Sequence, residues 1–234
     1  VFDAATLQET AAPTVPPGGI GTMGFHRGLH RMAYSINSAK GPSQLFALDP
    51  VSGRSEQWTR AQAPAGIDPS TFSDQSVVRW KSFDGLAISG IVTRPPTRFT
   101  GKRPVIVSIH GGPEAQATMD FQGRWNYFVQ ELGIALIEPN VRGSSGYGKT
   151  FLTLDNGMKR EDSVKDIGAL LDWIALQPEL KVIEDGAEAL GTTIDGKLVG
   201  TFGHVGTFSF FDNKTTTTGE GGTVTTNDPP SPPG

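Results

Sequence analysis

The sequence predicts an α/β fold, in which a partly parallel sheet follows one β-rich segment and precedes another. Two apolar runs, at 104–109 and 133–138, have the composition of strands that are buried on both faces of a parallel sheet. Segments 121–132 and 162–176 have helical character, and a further strand is predicted at 181–185. This alternation of strands and helices is typical of a parallel α/β sheet.

The helix at 162–176 is predicted from the spacing of its apolar residues. Asp162 or Ser163 can cap its N-terminus, and Pro178 ends it. The apolar residues share one face at helical spacing and are Val164, Ile167, Leu170, Leu171 and Ile174. We expect this face to pack against the sheet.

The first 63 residues are predicted to form β-structure with turns. Residues 31–36 and 44–49 alternate as strands do, and a turn at 50–53 leads into a third strand at 54–58. This pattern is typical of one blade of a β-propeller. A single blade has two free edges and two free faces, so we do not expect it to be stable alone.

Changes in composition divide the chain into five segments. Between the β-rich start and the parallel sheet lies a linker that contains Pro and Ser, and a hairpin with a turn at Asp84 and Gly85 follows it. The last residues are rich in Pro and are predicted to be disordered. The predicted segments are 1–63, 64–75 (linker), 76–180, 181–228 and 229–234 (tail).

Composition excludes several classes of function. A net charge of -4 with scattered Lys and Arg residues argues against nucleic-acid binding. The absence of Cys excludes disulfides, thiolate metal sites and a cysteine nucleophile. No apolar run is long enough for a membrane span, no signal peptide opens the chain, and a start at Val1 rather than Met favours a fragment. The four histidines are too dispersed to predict a metal site: His26, His30, His110 and His204.

Two glycine-rich motifs follow the two buried strands of the predicted sheet. The first is His-Gly-Gly-Pro at 110–113, and the second is Arg-Gly-Ser-Ser-Gly-Tyr-Gly at 142–148. With the elements that surround them, these motifs resemble the acylaminoacyl-peptidase and dipeptidyl-peptidase branch of the prolyl oligopeptidase (S9) family of serine peptidases. The resemblance covers residues 1–180. It implies descent from a hydrolase.

The glycines of the first motif have a chemical interpretation. Glycines directly after a strand let backbone N–H groups approach a developing oxyanion. The resemblance implies that Gly111 and Gly112 border an oxyanion hole. On the residues alone, the same motif is a tight loop that leaves a strand.

The nucleophile that this family requires is absent. The pattern Gly-x-Ser-x-Gly occurs nowhere in the 234 residues, and Gly-Ser-Ser-Gly at 143–146 has the wrong spacing. The acid and the histidine that complete the family's triad would also lie beyond residue 180 and have no counterpart. Because the loss of triad members lowers the rate by orders of magnitude, we expect the chain to be inactive or only weakly esterolytic.

A different set of motifs begins at residue 181. It contains Val-Ile-Glu-Asp at 182–185, Gly-His-Val-Gly-Thr-Phe-Ser-Phe at 203–210 and Thr-Gly-Glu-Gly-Gly at 218–222. Residues 181–228 resemble the DegT/DnrJ/EryC1/StrS-type aminotransferases, which use pyridoxal phosphate (PLP) to aminate keto-sugars attached to nucleotides. The resemblance implies PLP as a possible cofactor.

The resemblance also implies roles for individual residues. Lys214 matches the lysine that forms a Schiff base with PLP, and Asp185 matches the carboxylate that faces the pyridine nitrogen and keeps it protonated. Ser209 matches a hydroxyl near the cofactor phosphate. Glu188 replaces the usual Gln or His and would bring an anion to the phenolic oxygen of PLP. On the residues alone, Lys214 is a solvated loop residue and 219–222 is a turn.

The two resemblances meet between residues 180 and 181, where both families pass from a helix into a buried strand. The combined prediction is a partial parallel α/β-hydrolase-like sheet, preceded by a β-propeller-blade-like segment and followed by an aminotransferase-derived β-rich segment. A hybrid sheet with right-handed crossovers can then form. Three functions stay open: a hydrolase-derived chain with incomplete catalytic apparatus, a PLP-binding protein, and a non-catalytic piece that pairs with itself or a partner chain through unpaired sheet edges.

Overall fold

The structure is a computed structural model that describes residues 2–111, 114–187, 189–194, 196–212, 214 and 216–226. It describes only the backbone of Asp185 and Ile194. The predicted disorder of the tail at 229–234 lies outside the described residues. The chain forms two compact units, and these are Val1–Ser76 with Thr118–Tyr127, and Val77–Ala117 with Phe128–Gly234.

The first unit contains a sheet of four antiparallel strands, which lie side by side in chain order. The strands are β1 (Gly19–Phe25), β2 (Met32–Ser38), β3 (Gly41–Leu48) and β4 (Ser55–Gln57). The last three confirm the strands predicted in this segment. A small core forms where Tyr34 and Phe46 face each other across β2 and β3, with ring centroids 5.5 Å apart. Ile36 and Leu48 complete that core.

The second unit is built on a seven-stranded mixed sheet. Its strands are β5 (Gln75–Lys81), β6 (Ala87–Thr93), β7 (Arg103–Val107), β8 (Ala135–Asn140), β9 (Leu180–Asp185), β12 (Val205–Ser209) and β13 (Gly222–Thr226). A separate hairpin joins β10 (Thr193–Ile194) to β11 (Lys197–Leu198). The order across the sheet is β13-β12-β9-β7-β8-β6-β5.

Four neighbouring strands of this sheet, β12, β9, β7 and β8, run parallel, while β6 and β13 run antiparallel to their partners. The predicted α/β class with a partly parallel sheet is therefore confirmed. The predicted hairpin between β5 and β6 is also present, and Gly85 adopts a φ of 83° in its turn. Strand β9 pairs with β7 on one side and with β12 on the other. The sheet thus crosses the predicted junction at residues 180 and 181.

In the part of the chain that the structure describes, the α-helices are α1 (Trp125–Gln130), α2 (Lys149–Leu152) and α3 (Arg160–Ala175). The predicted N-cap of α3 at Asp162 or Ser163 is wrong. A 3-10 turn at Gly157–Lys159 runs directly into α3, so both residues already lie in its first turn. Lys159 takes the cap position without a side-chain hydrogen bond. Among the described residues, no helix is both long and apolar enough to cross a membrane.

One face of α3 packs on the sheet and forms the main core. Leu170 and Ile174 are fully buried against residues of β6, β7, β8 and β9. Ile167 and Leu171 of the predicted face are half-buried. Val164, predicted on the same face, is instead 68% exposed, because the buried face of the helix begins only at Asp166. The core residues from the sheet are Trp80, Ile88, Val92, Val105, Ala135, Ile137 and Leu180.

Candidate functional site

The parallel strands bring the predicted site residues to one edge of the sheet. The carboxyl ends of β8, β7, β9 and β12 lie side by side, because each strand runs parallel to the next. From β7 the chain crosses to β8 on one side and later to β9 on the other. The crevice outside the carboxyl end of β7 is therefore a topological switch point, which is where open α/β sheets bind ligands.

The loop after β7 carries the predicted oxyanion residues. Gly111 is exposed at this edge, while Gly112 lies outside the described residues. Before them, His110 is half-buried, and its Nε2 lies 2.9 Å from the Oγ of Ser144 in the loop after β8. The Nδ1 of His110 lies 3.3 Å from the carbonyl oxygen of Gly111. Because this carbonyl can only accept, Nδ1 carries the proton and Nε2 accepts the hydrogen bond from Ser144.

Sequence reasoning missed the pair of Ser144 and His110. The pair has the hydrogen bond of a serine nucleophile and its base, but two features separate it from a catalytic triad. Ser144 is only 1% exposed, so an acyl group cannot reach its Oγ. The group on Nδ1 is a carbonyl, and no carboxylate bonds to His110 among the described residues. Both residues follow neighbouring parallel strands, and that placement is the signal that could have paired them.

A buried ion-pair cluster fixes the loop after β8. The Arg142 side chain is 4% exposed and contacts Asp166 of α3 at 2.8 Å and Asp84 at 3.0 Å. Its backbone N–H also donates to Asp166 at 2.9 Å. These hydrogen bonds raise the pKa of Arg142, so it stays charged, and they lower the pKa of the Asp84 carboxyl. The cluster ties this loop to α3 and so positions Ser144 under the switch point.

The second group of predicted residues lies at the carboxyl ends of β9 and β12. Asp185 ends β9 and pairs with Thr207 of β12, while Ser209 ends β12. The Oγ of Ser209 accepts a hydrogen bond from the Phe211 N–H at 3.3 Å. Lys214 is half-buried in the connection from β12 to β13, where its N–H donates to the Phe211 carbonyl at 3.0 Å. Glu188 lies outside the described residues.

Two residue types at this edge match, by resemblance, residues that bind PLP in the aminotransferase family, although the structure describes only the backbone of Asp185. A lysine amine suits the aldehyde, and an aspartate on the neighbouring strand suits the pyridine nitrogen. The phosphate end has less support, since such groups are usually held at a helix N-terminus. After β9 the described chain instead forms a turn, in which the Ala189 N–H donates to the Gly186 carbonyl at 2.8 Å.

Comparisons with known proteins also divide the chain into a peptidase-like part and an aminotransferase-like part. The model of the DegT/DnrJ/EryC1/StrS aminotransferase family matches residues 163–231, so the match begins within α3 rather than at residue 181. GDP-perosamine synthase of Escherichia coli O157:H7 is 64% identical over 55 residues, which are 24% of this chain and 15% of that protein. The corresponding enzyme of Vibrio cholerae is 58% identical over 62 residues, or 26% of this chain and 17% of that protein.

Other relatives match the peptidase-like part. The uncharacterized peptidase YuxL of Bacillus subtilis is 28% identical over 135 residues, which are 56% of this chain and 20% of that protein. Among solved structures, a prolyl endopeptidase matches with a TM-score of 0.63 and 19% identity over 74% of this chain and 26% of its own. The acylaminoacyl peptidase of Pyrococcus horikoshii matches with a TM-score of 0.56 and 22% identity over 70% of this chain and 26% of its own.

The chain resembles two enzyme families. One segment is similar to the DegT/DnrJ/EryC1/StrS aminotransferases, and about three quarters of the chain has the fold of S9 peptidases. The structural likeness, at 19% and 22% identity, shows the fold alone. The chain spans about a quarter or less of each of these relatives.

Proposed function

We propose that this chain is a hydrolase-derived protein that does not assemble an acyl-transfer site and is inactive or only weakly esterolytic. Its four-stranded first unit would be a single blade-like sheet, and its second unit a partial α/β-hydrolase sheet completed by an aminotransferase-derived segment. The observation that carries the proposal is the burial of Ser144, the serine that hydrogen-bonds to His110 at the switch point.

Three requirements of a serine hydrolase support this conclusion. The nucleophile must be reachable, yet Ser144 is 1% exposed. The base must be oriented by an acid, yet His110 faces the Gly111 carbonyl. A serine must also end the strand beside β7, yet β9 runs into Gly186 and Ala187. The backbone N–H groups near Gly111 are the remaining donors, and they would stabilise an oxyanion only weakly.

We expect no labelling of the protein by a serine-directed fluorophosphonate. Hydrolysis of an activated ester should also stay within about tenfold of the uncatalysed rate, because Ser144, the serine that hydrogen-bonds to His110, is buried and cannot serve as a nucleophile. Intact-mass spectrometry measures the labelling, and an absorbance assay with the activated ester measures the hydrolysis rate. Ser144→Ala is the test variant, and Ser145→Ala, in the neighbouring residue, is its matched control. Stoichiometric labelling that disappears in Ser144→Ala alone would overturn the proposal.

A second candidate function is PLP binding through Lys214. It is supported by the pairing of β9 with β12, which sets the ends of two adjacent parallel strands, Asp185 and Ser209, at one edge with Lys214 beyond them. The relatives in this segment include GDP-perosamine synthases. PLP, when bound, would supply an electron sink for chemistry at an amine carbon, and this chain's Lys214 would hold its aldehyde.

Under this second candidate, added PLP produces a visible absorption band that Lys214→Ala abolishes. Borohydride reduction followed by peptide mass spectrometry should place the phosphopyridoxyl group on Lys214. Lys197→Ala is the matched control, because Lys197 is an exposed lysine of the same segment that stacks on Phe202 at 4.5 Å. A band that survives in Lys214→Ala, or label on Lys197 and Lys214 alike, would argue for surface adducts.

A third alternative is assembly through a sheet edge. Strand β13 lies at one end of the seven-stranded sheet, and all five of its residues are exposed. It contains Thr and Val but neither Pro nor a charged side chain, which are the usual features that protect edges from pairing. This edge is the best-supported surface for self-association or for pairing with another chain.

A further inference from the structure

We propose that Glu184 is a positioning residue that fixes the register between the carboxyl-terminal parts of β9 and β12. Its carboxylate accepts a hydrogen bond from the Gly200 N–H at 2.7 Å and another, from its second oxygen, from the Gly203 N–H. Two backbone donors on one half-buried carboxylate form a charge-assisted clamp. The clamp joins the penultimate residue of β9 to the loop that leads into β12.

The clamped loop packs tightly on β12, so its position determines that of the strand. A Cβ built on Gly200 would lie 2.3 Å from Cζ of Phe208, and one built on Gly206 would lie 2.5 Å from the Gly200 Cα. The Gly200 carbonyl also accepts a hydrogen bond from Thr225 Oγ1 at 2.9 Å. Because Gly200 is buried with a φ of 87°, a side chain there would be strained.

Further hydrogen bonds connect the backbone on both sides of Asp185 to Thr207 of β12. The Glu184 carbonyl accepts from Thr207 Oγ1 at 3.2 Å, and the Gly186 N–H donates to the Thr207 carbonyl at 2.8 Å. Thr207 pairs with Asp185 in the parallel ladder. Side chain and backbone of Glu184 thus hold the register in which Asp185 pairs with Thr207, two residues before Ser209.

The proposed role of Glu184 differs from that of the adjacent acidic residue, Asp185. Asp185 is the carboxylate that the aminotransferase resemblance relates to the cofactor, whereas Glu184 positions the strand that carries it. The inference deepens the second candidate function, and its cofactor readout rests on that function. Its structural readout requires only the protein without PLP.

The first test measures amide hydrogen exchange in the protein without PLP. In Glu184→Ala, exchange at Gly200 and Gly203 should become about tenfold faster or more, since each of these two amides loses a charged acceptor. Exchange along β12 should also become faster, because the loop that packs on this strand is no longer held. Glu184→Gln keeps one acceptor oxygen, so its exchange rates at Gly200 and Gly203 should lie between those of the wild type and those of Glu184→Ala. Glu179→Ala is the matched control, because Glu179 lies just before β9 and pairs with Arg94 at 3.3 Å.

Exchange along β7 and β8 should stay unchanged in Glu184→Ala, because a positioning role is local. Equal acceleration in β7, β8 and β12 would show general destabilisation and would overturn the inference, as would unchanged exchange at Gly200 and Gly203.

The second test applies where the wild type binds PLP. Trapping of PLP on Lys214 should then fall at least about tenfold in Glu184→Ala and partly recover in Glu184→Gln. Unchanged trapping in Glu184→Ala would overturn the positioning role. Failure of the wild type to bind PLP would reject only the second candidate function, because the exchange test still decides whether the clamp exists.

Discussion

Replacing Arg142 with Met is expected to lower the free energy of unfolding by about 3–5 kcal/mol at neutral pH. The substitution removes every side-chain donor that Arg142 offers to Asp166, which is 0% exposed. Ser82 and the backbone N–H of residue 142 still reach this carboxylate, but no positive charge balances it. Urea unfolding, followed by circular dichroism and tryptophan fluorescence, measures the loss.

The double variant Arg142→Met with Asp166→Asn is the matched control. It removes the buried negative charge together with its partner, so it should be clearly more stable than Arg142→Met alone. A loss below about 1 kcal/mol in Arg142→Met would contradict the view that the cluster holds the loop after β8.

The same ion-pair cluster predicts a pH dependence. Hydrogen bonds from Arg142 lower the pKa of Asp84 from its ordinary value of 3.8. A group whose pKa is lower in the folded state stabilises the fold above its unfolded pKa and loses that contribution as pH falls. The difference in stability between wild type and Arg142→Met should therefore narrow as pH falls below about 4.

The local elements were predictable because their signals are local. Buried parallel strands have distinct composition, and turn residues such as Gly85 mark the hairpin between β5 and β6. The face of α3 was partly wrong, because helical periodicity shows which residues share a face but not how far the packed sheet extends along it. Val164 therefore satisfied the pattern and is nevertheless exposed.

The candidate site was less predictable than the fold, since it depends on which strands become neighbours. The pair of Ser144 and His110 joins residues 34 positions apart, and the clamp on Glu184 joins residues up to 19 apart. Neither has a motif at fixed spacing. The roles of Lys214, Asp185 and Ser209 came from resemblance alone and stay predictions, while Gly112 and Glu188 lie outside the described residues.

Replacing Leu170 with Ala is expected to lower the free energy of unfolding by about 2–5 kcal/mol. Leu170 is 0% exposed and lies in the core between α3 and the sheet, with Ile88, Ile137 and Leu180. These neighbours belong to β6, β8 and β9. Leu180 is the last residue before the predicted junction, and Val182, two residues beyond it on the same strand, packs against this core and is partly buried. Backbone hydrogen bonds between neighbouring strands fix the positions of β6, β8 and β9. The core therefore cannot close around the missing side chain, and a cavity is expected to remain.

Val164→Ala is the matched control, because the same helix carries it and the same residue type replaces it. Val164 is 68% exposed, so its loss should change stability by no more than about 0.5 kcal/mol, and the higher helix propensity of Ala favours a small gain. Urea midpoints at equal m-values compare the two variants. Equal losses in both would mean that α3 does not pack on the sheet through Leu170. A large loss in Leu170→Ala alone would support a core between α3 and the sheet that includes β9, the strand that crosses the predicted junction.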